Sequence, residues 1–506
     1  MPANTPTPPP TPNPPLQGTR VLGITLNHSS NMIFLTQVAM FCLYGGCTTF
    51  APGLSHDSPA APGAALLNAV FLLQHVFVGL FVFLGLGFLF IQNSRFAWQN
   101  VGFSLAIGVT TVEWAMLLLG FWESGKATRN GADYWPPIPL DANYLFNSLY
   151  LAATILVSYG ALAGRVSFGQ AYGVAFWETF FATANYIIAK EVKVLDAGGT
   201  FFVHLFGGVF GLMASMAIGN KLSREVSNQP RSKESGLFAL LGLVVLFVTF
   251  PVFNTSNIFY LLASSDGFAP ASFGEATALA FRGYFNTIMS MASSIAAAFM
   301  VSRANSTSGD KFTFWQIQTA AIAGGAAVGA TGPFLRNPYG ALMLGAVVGV
   351  ISVWAQTVVT PALGKLRFHD AGGVLAAHVF PAIIGAFSSA IAAARVTSEQ
   401  GFTAAQINAL VYDGRNAKQQ GGYQIAYAAI SLGFALLAGT FTGLICNLPI
   451  FESKATAALD DAEEFEGIEG GEVKTSANPA AHHHAEAPAP AAAAPAAAAP
   501  APAASA

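Results

Sequence analysis

Two nine-residue stretches hold the side chains best suited to chemistry in this chain. They are Asp196-Ala197-Gly198-Gly199-Thr200-Phe201-Phe202-Val203-His204 and Asp370-Ala371-Gly372-Gly373-Val374-Leu375-Ala376-Ala377-His378. In both, the Asp precedes the His by eight residues and two glycines follow close behind the Asp. A neutral imidazole offers one donor and one acceptor and can bind metals or carry protons. A carboxylate at that spacing can cap a helix N-terminus or stabilise a cation. Each motif opens a long apolar run, and an ionisable group inside an apolar membrane segment marks a functional site. Taken alone, each Asp is better explained as an N-cap, and each His is equally well explained as a hydrogen-bonding contact between helices. Bis-histidine haem ligation is a further reading of such a pair. It is the weaker one, because Phe201, Phe202 and Phe380 crowd the motifs.

The rest of the sequence says what must position these residues. Of 506 residues, 53% are apolar and 9% charged, against about 25% charged in a typical soluble domain. So few charges could not cover the surface of a soluble protein of this size. The 51 glycines suit close helix packing in lipid. A net charge of -3 argues against a nucleic-acid partner. Cys42, Cys47 and Cys446 lie in apolar runs, which suits neither a disulfide framework nor a metal cluster. No metal or cofactor is expected, and the Pro/Thr-rich start does not read as a cleavable signal peptide.

A bilayer-crossing helix needs about 17 to 25 apolar residues. Twelve runs qualify, at roughly 32–51, 67–91, 99–122, 143–163, 170–189, 198–219, 236–253, 278–302, 314–334, 339–360, 372–394 and 422–447. The predicted fold class is therefore an all-α polytopic membrane protein with a channel domain over residues 32–452. Residues 1–31 read as a Pro-rich N-terminus. Residues 453–506 read as a tail, acidic from Asp460 to Glu472, then Ala/Pro-rich and disordered. An even number of spans puts both termini on one side, and 13 of the 22 Lys and Arg residues fall there. That excess predicts cytoplasmic termini.

Five spans separate the two motifs, an odd number, so their helices enter the membrane from opposite faces. This is the signature of an inverted internal repeat. Eight residues at 1.5 Å each carry a His about 12 Å into its helix, and the midplane of the hydrocarbon lies about 15 Å deep. His204 and His378 should therefore meet near the middle.

These residues resemble the Rh branch of the ammonium transporter (Amt/Rh) superfamily, over residues 33–452. The likeness rests on Asp196-Ala-Gly-Gly with His204-Leu-Phe-Gly and on Asp370-Ala-Gly-Gly with His378-Val-Phe-Pro. It extends to Tyr284-Phe285-Asn286-Thr287, Ile317-Gln318-Thr319-Ala320, Asn337-Pro338-Tyr339-Gly340 and Leu444-Ile445-Cys446-Asn447-Leu448-Pro449. A span ahead of the superfamily's usual eleven also favours Rh. The resemblance implies a homotrimer that is not an enzyme but a conductor of ammonia or ammonium, with one pore per subunit lined by His204 and His378.

It also implies an outer gate of two aromatics, which fall on Tyr150 and Phe253. The family usually has Phe at the first, so the phenol is a departure. Asn185-Tyr186 stands where an Asn-Glu pair helps draw cations to the vestibule, and Glu113 and Glu178 stand where neutral amides are expected. On this reading Asp196 stabilises ammonium or positions its deprotonation, and Asp370 mirrors it at the inner end. The membrane is expected to be the plasma membrane. Competing expectations are carbon dioxide conduction, and a non-conducting scaffold or ammonium sensor acting through the tail. His482-His483-His484 could hold a metal only weakly.

Overall fold

The computed structural model describes residues 19–21, 24–26, 28–50, 64–92, 96–131, 136–219, 232–260, 273–306, 309–366, 368–451, 461 and 465. The remainder of the two terminal segments, including His482 to His484, lies outside the described residues. Twelve long helices among those described correspond to the twelve predicted spans. They are α1 His28–Cys47, α2 over 64–92, α3 Ala97–Arg129, α4 Ala142–Leu162, α5 Phe168–Val192 and α6 Thr200–Ile218. Then follow α7 Lys233–Tyr260, α8 Phe273–Ala304, α9 Phe314–Val328, α10 Pro338–Gly364, α11 Leu375–Ala393 and α12 Ala417–Ile445. A short helix, Ala404–Leu410, precedes α12.

Ten of the twelve are long and apolar enough to cross a bilayer. Their outward faces carry large apolar side chains such as Phe41, Leu72, Phe281, Tyr339 and Leu437, all exposed. Water would not tolerate such a belt, and lipid does. The chain is an integral membrane protein. Inside, Ser and Thr hydroxyls satisfy themselves on carbonyls, as Thr179 does on Ala175 and Thr183 on Thr179.

One span departs from expectation. The ninth is expected over 314–334, but α9 stops at Val328 after 15 residues. The chain then turns through a 3-10 segment, Gly332–Phe334. The stop is imposed from outside the helix: the Gly329 carbonyl accepts a hydrogen bond from the Gly198 N–H at 3.2 Å. Gly332-Pro333 marks a break in this run, but nothing within 314–334 says that the helix ends as early as Val328.

The inverted repeat is visible in matched contacts. Helices α2–α6 form one half and α7–α11 the other. The first helices of the halves cross backbone to backbone, where a Cβ on Gly242 would lie 2.9 Å from the Gly85 carbonyl oxygen. The α6 motif packs against the end of α9, and the α11 motif packs against Gly160 near the end of α4. The third and fifth helices of each half thus exchange equivalent contacts. Helix α12 straps the two halves together, and α1 lies at the periphery. Gln37 of α1 donates to Glu113 Oε2 at 2.8 Å, and Tyr44 donates to the Glu113 carbonyl at 2.8 Å. Glu113 thus ties α1 to α3.

Two residues of the predicted tail are described, and both are docked. Asp461 accepts from the N–H groups of Trp98 and Gln99 at 3.0 and 2.8 Å, capping α3. The Phe465 ring packs 6.3 Å from that of Phe103.

Candidate functional site

Each Asp-Ala-Gly-Gly turn is built the same way, and the two glycines do different work. Gly198 and Gly372 permit close approach: a Cβ would sit 2.6 Å from the Gly329 Cα in the first case and 2.6 Å from the Gly160 oxygen in the second. Gly199 and Gly373 adopt φ of 68° and 70°, the left-handed region that disfavours a Cβ. The chain is thereby reversed directly into a helix start.

The aspartates close that start. Asp196 Oδ1 accepts from Thr200 N at 2.7 Å, and Oδ2 from Phe201 N at 2.8 Å and Phe202 N at 3.3 Å. Asp370 accepts from Val374 N at 2.6 Å and Leu375 N at 2.9 Å. Both carboxylates are spent on otherwise unpaired helix N–H groups. Any influence on a cation acts at a distance rather than by contact.

The first turn after each cap is π-helical, over Thr200–Leu205 and Leu375–Val379. The His204 N–H reaches back five residues to the Gly199 carbonyl at 2.9 Å. Such widened turns recur at functional sites, and here each delivers a histidine inward. His204 and His378 are both buried, with Nδ1 3.1 Å from Nδ1 and rings 5.1 Å apart, 22° from parallel. That separation is a hydrogen bond, one ring donating and the other accepting. Ligation of a haem iron from its two opposite faces would need roughly 4 Å between the nitrogens, at about 2.0 Å each, so the geometry does not suit haem. The Nε2 of His204 is buried without a partner.

Beside the pair stands an aromatic stack. Tyr150 and Phe253 lie 4.4 Å apart, and Phe81 stacks on the other side of Phe253 at 4.2 Å. Phe253 is 6.2 Å and Phe250 5.8 Å from the His204 ring. The Tyr150 hydroxyl donates to the Phe253 carbonyl. Phe250 and Phe253 flank Pro251, which lies inside the continuous helix α7. Tyr186 is turned away to structure: its hydroxyl donates to Asn147 Oδ1 at 3.0 Å and its ring packs edge-on against Phe202.

The structure thus brings His204, His378, Tyr150 and Phe253 together, with Asp196 and Asp370 at the starts of the two helices. Phe81 and Phe250 were missed. Phe250 was discoverable, since it lies three residues from Phe253 on the same helix face. Phe81 was not, because only tertiary packing brings α2 to the site.

A strut reaches the site from α12. Gln424 accepts from Leu195 N at 2.9 Å and donates to the Leu195 carbonyl and to Ser389 Oγ, both at 2.8 Å. Gln424→Leu leaves both Leu195 groups unpaired in the interior, at about 1–3 kcal/mol each. The expected result is a clear fall in the thermal unfolding midpoint of the detergent-solubilised protein; an unchanged midpoint would show that the strut carries no load.

Twelve helices in inverted repeat, closing on a buried polar pair, define a membrane transport protein rather than an enzyme. The sequence matches the Ammonium Transporter Family over residues 38–466, and the chain belongs to that family, in its Rh branch. It is 32% identical to Ammonium transporter Rh type C of Gasterosteus aculeatus over 395 residues, 77% of this chain and 76% of the relative. It is 33% identical to Ammonium transporter Rh type B-B of Xenopus laevis over 405 residues, 78% and 82% of the two chains. In fold it is similar to the solved structure of Nitrosomonas europaea Rh50, with a TM-score of 0.60 at 21% identity, covering 80% of this chain and 94% of that one. A Sensor Amt Protein structure gives a TM-score of 0.57 at 18% identity, covering 77% and 96%.

Proposed function

We propose that this protein conducts neutral ammonia along a path past the His204–His378 pair, ammonium shedding its proton before entry and ammonia regaining one beyond. The observation that carries this reading is the buried pair itself, with its nitrogens hydrogen-bonded at 3.1 Å and His204 Nε2 left without a partner. A buried polar atom lacking a partner favours a small polar molecule beside it. Ammonia both donates and accepts, so it can meet either ring whatever its tautomer. An ammonium ion would carry an idealised desolvation cost on the order of 20 kcal/mol, and hydrated alkali cations would find no replacement for their water. The same cost keeps both imidazoles neutral.

In this proposal Tyr150 and Phe253 form the outer gate. Asp196 favours the cation electrostatically while holding the α6 start, and Asp370 does the same at the inner end. The working unit is a homotrimer in the plasma membrane with cytoplasmic termini. The test is stopped-flow pH recording on proteoliposomes given an ammonium gradient, with current recorded in parallel. Fast internal alkalinisation without current supports neutral conduction. Current proportional to flux, or acceleration by carbon dioxide alone, would refute it.

The gate yields its own prediction. Tyr150→Phe keeps the ring stack and removes one hydroxyl bond, about 0.5–1.5 kcal/mol. Ammonia flux is expected to rise by up to about tenfold with little loss of stability. A fall in flux would mean that the phenol aids passage instead of restraining it.

A further inference from the structure

Glu178 is fully buried on α5 and plays no part in the path proposed above. Its neighbour is Ser158 of α4, and a count of protons there is informative. The Ser158 hydroxyl lies 2.6 Å from the carbonyl oxygen of Gly207 and is also hydrogen-bonded to Glu178 Oε1. A serine hydroxyl has one proton to give. The Gly207 carbonyl has none, so that contact is attractive only if Ser158 donates to it.

A carboxylate at Glu178 would then compete for the same proton, and one of the two close oxygen pairs would be left repulsive. A carboxylic acid removes the conflict. Glu178 donates its own proton to Ser158 Oγ, and Ser158 donates to Gly207. The surroundings agree with this. Glu178 Oε2 has no partner, and among the described residues none of the ion pairs involves Glu178. An ionised carboxylate in that setting would be an unpaired buried charge.

The end of this relay lies beside the candidate pore. Gly207 follows His204 by three residues in α6. Helices α4 and α6 meet there backbone to backbone: a Cβ on Gly207 would lie 2.6 Å from the Thr154 oxygen, and one on Gly211 2.5 Å from the Ser158 oxygen. Of the α4 hydroxyls near His204, Thr154 lies nearer the Tyr150 carbonyl of its own helix (3.0 Å) than the Phe202 carbonyl (3.4 Å), whereas Ser158 reaches the Gly207 carbonyl at 2.6 Å. We propose that Glu178 is a positioning residue, held as a neutral carboxylic acid, whose proton orients Ser158 so that its hydroxyl fastens the His204 segment of α6 to α4. The conduction part of this rests on the function proposed above, whereas the protonation part does not.

The two parts are tested separately on the reconstituted full-length protein. Infrared spectroscopy with isotope-labelled glutamate is expected to show the carbonyl stretch of a protonated carboxylic acid throughout the neutral pH range, and to lose it in Glu178→Gln. In ammonia-flux recordings, Glu178→Gln retains conduction, because its amide can donate to Ser158 in the same way. Glu178→Leu lowers conduction about fivefold or more. If the Leu variant does not fold, Ser158→Ala supplies the comparison and is expected to fall likewise. Absence of the band, its loss within the neutral range, or a Gln variant as impaired as Leu would overturn the proposal. A persisting band together with undiminished flux in His204→Ala would instead refute the pore reading alone.

Discussion

Alanine at His204 or at His378 is expected to cut ammonia flux through proteoliposomes about 5- to 150-fold, and the double variant to fall little further than the worse single. The range follows from the cost of leaving one buried hydrogen-bonding group without its partner, about 1–3 kcal/mol. The near-absence of additivity follows from geometry. The rings share one hydrogen bond at 3.1 Å, so removing either ring dismantles the pair, and groups in contact do not contribute independently. Each ring is fixed by its own π-helical turn and Asp cap, so alanine at one site should leave both helix starts intact. Thermal unfolding of the variants checks that. Full flux in both single variants would remove the histidines from the mechanism.

The second large effect is on folding. Gly198→Ala places a methyl group 2.3 Å from Asn254 Oδ1 and 2.6 Å from the Gly329 Cα, and Gly372→Ala places one 2.6 Å from the Gly160 oxygen. Overpacking of a core by one carbon costs about 1–3 kcal/mol when side chains can yield. Here Gly329 and Gly160 present backbone, held within or at the end of a helix, and have no rotamer to change. Losses at or above the top of that range are expected, seen as poor yield and a depressed unfolding midpoint. Gly422→Ala in α12 is the control, since nothing lies within 4 Å of its added carbon. Exchanging Gly for Ala in a helix favours folding by up to about 1 kcal/mol. If Gly198→Ala matched that control, the backbone contact between α6 and α9 would not matter.

Both predictions depend on features that were partly legible in the chain. The Asp-to-His spacing and the odd number of intervening spans put His204 and His378 at one depth from opposite faces, because a helix rises a fixed distance per residue. The glycine pairs marked turns, but not which glycine served the turn and which the contact, since that depends on Gly329 and Gly160 far away in sequence. Gly332-Pro333 marked a break after α9, but the end at Val328 was hidden for the same reason. Tyr150 and Phe253 were found by resemblance alone. Phe81 had no signal at all, lying in a helix whose apolar residues all look alike.

By itself, then, the sequence determined the membrane class, the twelve helices, their inversion and the residues of the repeated motif. Those follow from apolar length and helical periodicity, which are local quantities. Only the tertiary structure decided that the aspartates are consumed as caps, that the rings face each other through Nδ1, and that Glu178 and the Gly207 carbonyl of the His204 helix both meet the Ser158 hydroxyl. Those depend on which backbone and side-chain atoms meet across helices, and a uniformly apolar surface does not encode that in any one segment.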